Sequence, residues 1–358
     1  TAKFMSRYWS DFVNGLEPYI PGEQPSDPAV IKLNTNENPY GPSPKASKAI
    51  TDCANQQLRL YPCPESKELK NTIADYYDLS PDQIFVGNGS DEVLAHAFNG
   101  LFRKTQPVLF PDITYSFYPV FCRLYDISYH QIPLAENFYL QLEHYCRPNG
   151  GIIFPNPNAP TGRFLDLDNI ENLLREITNS VVVVDEAYID FGGASCAALI
   201  PNYDNLLVVH TLSKSRSLAG LRIGYAMGSR SLINGLNRVK NSFNSYPLSR
   251  IQESAAVASF KDKTYFKTTI KKVIVSRQDL TRELEILGFE VVPSMANFLL
   301  VTHPKVSANS LYERLRANDI LVRHFDRPRI DSYIRITVGN DTQNRALTEF
   351  LRSIVKSV

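Results

Sequence analysis

The chain has 358 residues and a nearly balanced charge, with 38 Lys and Arg against 37 Asp and Glu. Its 43% hydrophobic and 21% charged content is that of a globular protein, which excludes a wholly disordered or collagen-like chain. The balanced charge argues against a nucleic-acid partner, and no apolar run approaches the roughly 20 residues of a membrane helix. A chain of this length is typical of about two domains.

The cysteines and the first residues bear on the cellular compartment. Five cysteines are scattered without a C-x-x-C pair, and six histidines show no metal-ligand spacing. They predict buried thiols in a reducing compartment rather than a disulfide framework or a zinc site. The first 22 residues lack the apolar core of a signal peptide. We therefore expect a cytoplasmic protein without a metal and without a membrane partner.

The predicted elements begin with a proline-rich stretch from Glu17 to Pro44. Proline removes a backbone donor and biases its predecessor against helix, so we expect an extended arm that packs on another part. Short apolar runs then follow, several of them continuous, as is typical of strands covered on both faces. These predicted strands are Ile84–Val86, Val108–Phe110, Ile152–Phe154, Val181–Val184, Leu206–Val209 and Ile223–Met227.

Amphipathic patterns between these runs predict helices, among them Asp91–Phe102 and Asp168–Glu176. Alternation of strands and helices indicates an α/β domain with a mostly parallel sheet. After about Thr264 a long charged amphipathic stretch, Lys271–Leu287, and further short runs predict a smaller α+β domain. The expected division is an arm with part of the small domain (1–44), a large domain (45–263) and a small C-terminal domain (264–358).

The most informative segment is TLSKSRSLAGLRIGY, from Thr211 to Tyr225. Burial or neighbouring cations lower the pKa of a lysine, and a neutral Lys214 amine then forms a Schiff base with a carbonyl. The hydroxyls of Thr211 and Ser213, together with Arg222, suit a phosphate dianion. The alternative is that Lys214 is a solvated surface lysine, as most lysines are.

Two further segments follow predicted strands. Asp185, after a run of valines, lies where open α/β sheets bind ligands and suits a protonated pyridine nitrogen, with Tyr188 three residues on. The alternative is an Asp that caps the next helix. In the segment GNGSDE, Ser90 and Asp91 stand at a predicted helix start, where free N–H groups favour a phosphate. The alternative there is a plain N-cap.

A fourth segment, FPNPNAPTG from Phe154 to Gly162, predicts a rigid loop at another strand end. Its alternative is an ordinary crossover loop. Together the four loops offer an amine, a phosphate clamp, a carboxylate for a ring nitrogen and a phosphate-binding helix start. Those are the parts that pyridoxal 5′-phosphate requires.

The sequence resembles the fold type I pyridoxal-phosphate aminotransferases of the aspartate aminotransferase superfamily and, within them, the histidinol-phosphate aminotransferases. The resemblance covers nearly the whole chain. Its fold implies a large domain with a mostly parallel, seven-stranded sheet between helices, plus a smaller α+β domain. The motifs that carry it are LEPYIPG from Leu16, LNTNENPYGP from Leu33, RLYP from Arg59, DEAYIDF from Asp185, SLAGLRIGY from Ser217 and IRITVG from Ile334.

The resemblance also implies roles for residues around the cofactor. Lys214 forms the internal Schiff base and moves a proton between the substrate Cα and the cofactor, and Asp185 holds the pyridinium nitrogen. Tyr188 hydrogen-bonds the phenolic oxygen and Tyr115 stacks on the ring. Tyr61 reaches the cofactor of a neighbouring subunit, which implies a homodimer with shared active sites. The implied phosphate ligands within one subunit are the backbone of Ser90 and Asp91 and the side chains of Thr211, Ser213 and Arg222.

On the substrate side, the resemblance implies that Arg335 grips the anionic end of the substrate with Arg323 as a helper. Asn38 and Tyr40 lie in the arm that closes over the pocket. The implied reaction is transamination between histidinol phosphate and 2-oxoglutarate, a step of L-histidine biosynthesis. In the biosynthetic direction, imidazole-acetol phosphate receives the amino group of glutamate.

The sequence departs from the family in two places. The family commonly has Asn directly before Pro-Thr-Gly, where this chain has Ala159, and a one-residue shift points the side chain of Asn158 elsewhere. After Lys214 the chain carries Arg216 and Ser217, where Phe and a small residue are more usual.

Three alternatives remain open at this point. An aromatic amino-acid aminotransferase or a threonine-phosphate decarboxylase uses the same lysine, aspartate and arginines. A non-catalytic regulator that binds the cofactor usually carries an added DNA-binding domain, for which the chain has no basic patch.

An aromatic stripe is predicted to belong to the core, and only its first member, Tyr115, is predicted to have a functional role. The stripe consists of Tyr115, Phe117, Tyr118 and Phe121.

Overall fold

The structure is a computed structural model that describes residues 6–357. The remaining positions, 1–5 and 358, belong to the predicted arm and the predicted C-terminal domain and lie outside the described residues. The helices are α1 Asp11–Gly15, α2 Pro44–Cys53, α3 Lys67–Tyr77, α4 Ser90–Ala97, α5 Tyr118–Leu124, α6 Leu167–Glu176, α7 Arg230–Phe243, α8 Arg250–Lys261, α9 Lys263–Ile286, α10 Ala308–Arg316 and α11 Asp341–Lys356.

The strands form one large sheet, one smaller sheet and one short parallel pair. They are β1 Ile31–Lys32, β2 Ile84–Gly87, β3 Val108–Pro111, β4 Tyr129–Ile132, β5 Gly151–Pro155, β6 Val182–Asp185, β7 Leu206–Thr211, β8 Gly224–Gly228, β9 Glu290–Val292, β10 Phe298–Thr302, β11 Ile320–Leu321, β12 Arg323–His324 and β13 Ile334–Thr337.

The large sheet has seven strands in the order β2-β8-β7-β6-β5-β3-β4. Strand β8 is antiparallel to both of its neighbours, and the other pairs are parallel. In β6, Val182 and Val184 enter the core on one face while Val183 enters the core on the other. Burial on both faces explains the continuous valine run. The predicted α/β fold with a mostly parallel sheet is confirmed.

Two elements of this part differ from the expectation. The predicted helix Asp91–Phe102 is split, because α4 ends at Ala97 and a wider π-type turn continues over Phe98–Phe102. Strand β4 has no counterpart among the predicted strands. It lies at the sheet edge with two exposed polar residues, His130 and Gln131, so it carries no apolar run.

The smaller sheet is antiparallel, in the order β12-β13-β10-β9. Strand β1 of the N-terminal segment pairs in parallel with β11. Just after β1, Leu33 packs into the core beneath the smaller sheet, together with residues of α9, α10 and α11. From Leu16 to Val30 the chain is neither helix nor strand, as the prolines predict.

The large sheet brings several strand ends to one edge. Pro155 at the end of β5 is in register with Asp185 at the end of β6, which pairs with Val209 of β7. Thr211, the last residue of β7, is opposite Gly224, the first residue of β8. Parallel strands therefore present their carboxyl ends, and the loops that follow, to a common space.

Candidate active site

Residues of both sheets and of the N-terminal segment line a cavity of about 470 Å³ at this edge. Most of the predicted site residues meet there, whereas Asn38, Tyr40 and Tyr61 do not line it. The predicted residues in the lining are Ser90, Asp91, Tyr115, Asp185, Tyr188, Thr211, Ser213, Lys214, Arg222, Arg323 and Arg335.

Lys214 lies in the loop after β7 and points into this cavity rather than into bulk solvent. Its Nζ donates a hydrogen bond to the carbonyl oxygen of Thr35 at 2.9 Å. Burial lowers the pKa of Lys214 to about 8, and the Arg335 cation adds to this while Glu37 opposes it. The amine therefore reaches its neutral, nucleophilic form more readily than a surface lysine does.

Asp185 is buried at the end of β6, with two hydrogen-bond donors on its carboxylate. The hydroxyl of Tyr118 donates to Oδ2 at 3.0 Å, and the backbone N–H of Ala187 donates to Oδ1 at 3.3 Å. Burial raises the pKa of Asp185 to about 6, and both hydrogen bonds oppose that rise. A cation placed beside this carboxylate would favour its charged form.

Tyr188 lies close to the lysine, whose Nζ is 5.9 Å from the centre of the tyrosine ring. Its hydroxyl accepts a hydrogen bond from Nδ2 of Asn36 at 3.0 Å. The ring of Tyr188 packs edge-on against Phe298 of the smaller sheet, with 5.0 Å between ring centres. The contacts with Asn36 and Phe298 thus hold the Tyr188 ring near the Lys214 amine.

A cluster of hydroxyls and one guanidinium forms an anion-binding end of the cavity. Thr211 Oγ1 donates to Ser213 Oγ at 2.9 Å, and Arg222 Nη1 is 3.5 Å from the same oxygen. Arg222 Nη2 also pairs with Asp91 Oδ2 at 2.9 Å, and Tyr115 donates to the other oxygen of Asp91. The guanidinium is therefore oriented before any ligand arrives.

Glycines make room for an anion beside these groups. The residue that caps α4 is Gly89, at φ 83°, and no side chain caps the helix, so the alternative of a plain side-chain cap fails. A Cβ at Gly89 would lie 2.5 Å from Arg222 Nη2, and one at Gly224 would lie 2.3 Å from the nitrogen of Ser90. Free N–H groups at a helix start favour phosphate.

Two arginines of the smaller sheet define a second end of the cavity. Arg335 of β13 is directly opposite Arg323 of β12. Arg335 Nη2 donates to the carbonyl of Asn34 at 2.7 Å, and its buried Nε has no hydrogen-bond partner among the described residues. Burial lowers the pKa of Arg335. No described carboxylate lies within ion-pair distance of either guanidinium.

The three predicted residues outside the cavity have other contacts. Asn38 donates to the carbonyls of Lys214 and Ser215, at 3.0 and 3.3 Å, and so holds the lysine loop. Tyr40 lies under the ammonium of Lys272, 5.1 Å from its ring centre. Tyr61 is 78% exposed and packs on Tyr246, with 4.8 Å between ring centres.

The structure shows the surroundings of the residues at both departures from the family pattern. Ala159 lines the cavity, whereas the buried amide of Asn158 donates away from it, to Ile113 and Thr161, at 3.0 Å each. Arg216 is buried beside the lysine loop, with its guanidinium 3.9 Å from the ring centre of Phe260.

Sequence reasoning missed several residues of the site. Asn36 and Thr35, which contact Tyr188 and Lys214, belong to the LNTNENPYGP motif, in which Asn38 and Tyr40 were the predicted residues. Tyr118 was assigned to the core, and it is both core and partner of Asp185. Tyr19 lines the cavity and packs on Phe117, and its signal was the LEPYIPG motif.

These groups fit pyridoxal 5′-phosphate. A depressed lysine pKa suits an aldehyde, a buried carboxylate suits a pyridinium nitrogen, and the glycine-lined hydroxyl cluster suits a phosphate. Thr114 also lines this cavity, and its buried Oγ1 has no hydrogen-bond partner among the described residues.

Residues 6–357 contain no cluster of three or more His, Cys, Asp or Glu side chains that suits a metal ion. In the same part of the chain, no helix has the length and apolar character needed to cross a membrane.

Comparison with known proteins identifies relatives along nearly the whole chain. The sequence profile of the family "Aminotransferase class I and II" matches residues 28–354. A histidinol-phosphate aminotransferase of Pseudomonas putida strain KT2440 is 56% identical over 347 residues, which are 97% of this chain and 100% of the relative. Histidinol-phosphate aminotransferase 2 of Dechloromonas aromatica is 57% identical over 356 residues, or 98% and 99% of the two chains.

Solved structures share the fold at lower identity. The histidinol-phosphate aminotransferase of Sinorhizobium meliloti, in complex with pyridoxal-5′-phosphate, superimposes with a TM-score of 0.88 at 23% identity, covering 99% of each chain. The L-threonine-O-3-phosphate decarboxylase of Porphyromonas gingivalis gives a TM-score of 0.76 at 23% identity, covering 90% and 99%. The fold alone therefore does not separate transamination from decarboxylation.

Proposed function

The chain belongs to the class I and II aminotransferases, and from this premise we propose that it transfers an amino group between histidinol phosphate and 2-oxoglutarate. It is a transaminase that uses pyridoxal 5′-phosphate. Identity of 56% along almost the full length of histidinol-phosphate aminotransferases supports this substrate pair and a place in L-histidine biosynthesis. The observation that carries the proposal is one cavity lined by the lysine amine, a buried carboxylate and two arginines that lack a described carboxylate partner.

The residues around the lysine would hold the cofactor. When bound, pyridoxal 5′-phosphate supplies an aldehyde and an electron-accepting ring. Lys214 would hold the aldehyde carbon, Asp185 the ring nitrogen and Tyr188 the phenolic oxygen, while Tyr115 would cover one ring face. The phosphate would lie among the hydroxyls and N–H groups at the opposite end from the arginine pair: Ser90, Asp91, Thr211, Ser213 and Arg222.

Lys214 would also move the proton of the reaction. Once its amine is free, Nζ would take the proton from the substrate Cα as a general base. A base works best when its pKa lies near the working pH, and burial brings the pKa of Lys214 to about 8. The carbonyl of Thr35, 2.9 Å away, accepts a hydrogen bond from Nζ and so orients the amine.

The arginine pair would accept two different anions in turn. Histidinol phosphate presents a phosphomonoester, and glutamate presents a distal carboxylate. A guanidinium binds either group with two parallel hydrogen bonds, which favours Arg335 as the main ligand and Arg323 as its helper. The unpartnered Nε of Arg335 supports this role.

Two residues of the N-terminal segment would act around the substrate without lining the cavity. Asn38 would hold the loop of Lys214 through its two hydrogen bonds to carbonyls. Tyr40 would stiffen the closing arm from beside α9, where Lys272 lies over its ring.

The active form would be a homodimer. Tyr61 is exposed in the single chain, and it would reach the phosphate of the partner's cofactor. Exposed large apolar side chains close to it in sequence or in space support a protein contact at this surface: Leu58, Leu60 and Tyr246.

The domain division and the compartment are also proposals. Separate cores under the two sheets support a large domain at 45–263 and a small one at 264–358, and Leu33 in the second core supports joining part of 1–44 to it. The cysteines, which are all free, support a reducing compartment such as the cytoplasm.

The visible spectrum of the holoenzyme tests this function directly. Addition of histidinol phosphate should bleach the visible band of the bound cofactor, and 2-oxoglutarate should restore it. An unchanged spectrum with histidinol phosphate, together with bleaching by phenylalanine, would make the enzyme an aromatic amino-acid aminotransferase. Release of carbon dioxide from threonine phosphate would make it a decarboxylase.

A further inference from the structure

Tyr118 contacts Asp185, although the proposed chemistry gives it no role. Its hydroxyl donates to Oδ2 of that carboxylate at 3.0 Å. We propose that Tyr118 is a positioning residue that fixes the Asp185 carboxylate toward the ring nitrogen of the cofactor. This inference rests on the proposed placement of that ring.

The tyrosine ring is held rigidly. Tyr118 is the first residue of α5 and is completely buried. Its ring centre is 6.0 Å from that of Phe98, 5.8 Å from that of Phe110 and 5.7 Å from that of Tyr115, the last two edge-on. Aromatic packing of this kind leaves the hydroxyl one position, at the end of β6.

The direction of the hydrogen bond is also fixed. Burial and the Asp185 charge raise the pKa of Tyr118 well above its ordinary value, so its hydroxyl keeps its proton and donates. The backbone N–H of Ala187 donates to the other oxygen, Oδ1. With one donor on each oxygen, the carboxylate is held in one orientation, and its remaining lone pairs are free for a ligand.

The hydrogen bond from Tyr118 also opposes the effect of burial on the pKa of Asp185. Burial favours the neutral form of Asp185, whereas a hydrogen bond from Tyr118 favours the charged form. A ring nitrogen that must stay protonated needs an anionic partner. Tyr118 would therefore act through both the orientation and the charge of Asp185.

The test compares two cofactors in the full chain after removal of the bound one. Pyridoxal 5′-phosphate has the ring nitrogen, and 1-deazapyridoxal 5′-phosphate has carbon in its place and cannot pair with Asp185. The variant is Tyr118→Phe, which removes one oxygen and keeps the ring. Its affinity for pyridoxal 5′-phosphate should fall about tenfold, the range for hydrogen bonds to charged groups. Its affinity for the deaza compound should change less than about twofold.

A matched control comes from a second buried tyrosine. Tyr145 is as buried as Tyr118, it lies in the core on the other face of the sheet, and its hydroxyl has no hydrogen-bond partner among the described residues. Tyr145→Phe should leave both affinities unchanged. Thermal unfolding of both variants shows whether they fold.

Each outcome has one meaning. Equal losses with the two cofactors would show that Tyr118 acts only through packing, and no loss with either would show that it has no effect; both overturn the inference. If the wild-type chain itself binds the two compounds equally, the proposed placement of the ring at Asp185 fails. If the wild type prefers pyridoxal 5′-phosphate over the deaza compound and Tyr118→Phe keeps the same preference, only the inference about Tyr118 fails.

Discussion

The two ends of the cavity both hold arginine, but the arginines differ in what surrounds them. Arg222 pairs with Asp91 at 2.9 Å and lies beside hydroxyls, with a side chain that is 45% exposed. Arg335 contacts one backbone carbonyl and keeps a buried Nε without a described partner. Burial lowers the pKa of Arg335, a cost that an arriving anion would offset.

This difference suits two kinds of ligand. A resident cofactor stays bound throughout the reaction, so a permanent partner such as Asp91, which orients Arg222 in advance, would suit its binding. Substrates must enter and leave, so an arginine kept free of a carboxylate does not have to break an ion pair each time. Burial and the cations of both arginines lower the pKa of Lys214, which would serve both ligands.

The largest effect is expected at the lysine. Lys214→Ala removes the amine that would hold the cofactor and carry the proton, so turnover should fall by about 10⁴-fold or more. The visible absorbance of the purified protein should disappear, and its far-ultraviolet circular dichroism should stay. Activity close to wild type would remove Lys214 from its proposed role.

Loss of the buried carboxylate comes next. Asp185→Ala should still bind some cofactor through the phosphate end, and its rate should fall by about 10³-fold because the ring nitrogen loses its partner. Cofactor content and kcat, measured on the same sample, separate the two effects. A variant that turns over at the wild-type rate contradicts the role of Asp185.

Arg335→Lys should weaken the action on both substrates without weakening cofactor binding. Arg335→Lys keeps the charge and loses the bidentate geometry, so kcat/KM should fall about 100-fold for both histidinol phosphate and glutamate. Cofactor affinity should not change. A loss confined to one substrate would show that the two anions use different ligands.

Arg222→Lys should weaken cofactor binding without weakening substrate binding. The loss of cofactor affinity should be about tenfold, since the hydroxyls of Thr211 and Ser213 and the N–H groups at the start of α4 remain to hold the phosphate. With saturating cofactor, the substrate KM should stay at the wild-type value. If the substrate KM rises instead, a change at Arg222 also affects substrate binding. That result would contradict separate roles for Arg222 and Arg335.

The smallest expected effect is a shift in the pH dependence of cofactor uptake. A lysine reacts with an aldehyde only when neutral, so cofactor uptake by the chain freed of cofactor should speed up as pH rises through about 8. The Arg335 cation helps to lower the pKa of Lys214. In Arg335→Met the rise in uptake should therefore occur at higher pH, as stopped-flow absorbance would show. An unchanged profile would mean that Arg335 does not influence the pKa of Lys214.

Sequence reasoning predicted the buried parts of the large sheet best. Strands such as β6 are covered on both faces, so their apolar runs are continuous. The polar edge strand β4 and helix α8 give no such signal. Helix α8 buries small residues such as Ala255, Ala256 and Ser259, whose spacing has little hydrophobic contrast.

The site was predictable where a residue follows a strand and its chemistry is local, as for Lys214 and Asp185. It was not predictable where backbone conformation decides direction. Asn36 and Asn38 would share a face in a regular strand, but Asn36 has a φ of 58°. Its amide therefore meets Tyr188, whereas Asn38 turns to the lysine loop. The contact of Tyr118 depends on the crossing of α5 and β6, which no local pattern contains.

The segment after β1 has a consequence for folding. Asn36 hydrogen-bonds Thr337, 301 positions further along the chain, and Thr35 of the same segment holds the lysine amine. Closing so long a loop is slow, so this part of the site should form late, after the large sheet has its helices. A ribosome-bound chain that still lacks β13 would have the strands of the large sheet but not Arg335, so the cavity becomes complete only after β13 has been synthesised.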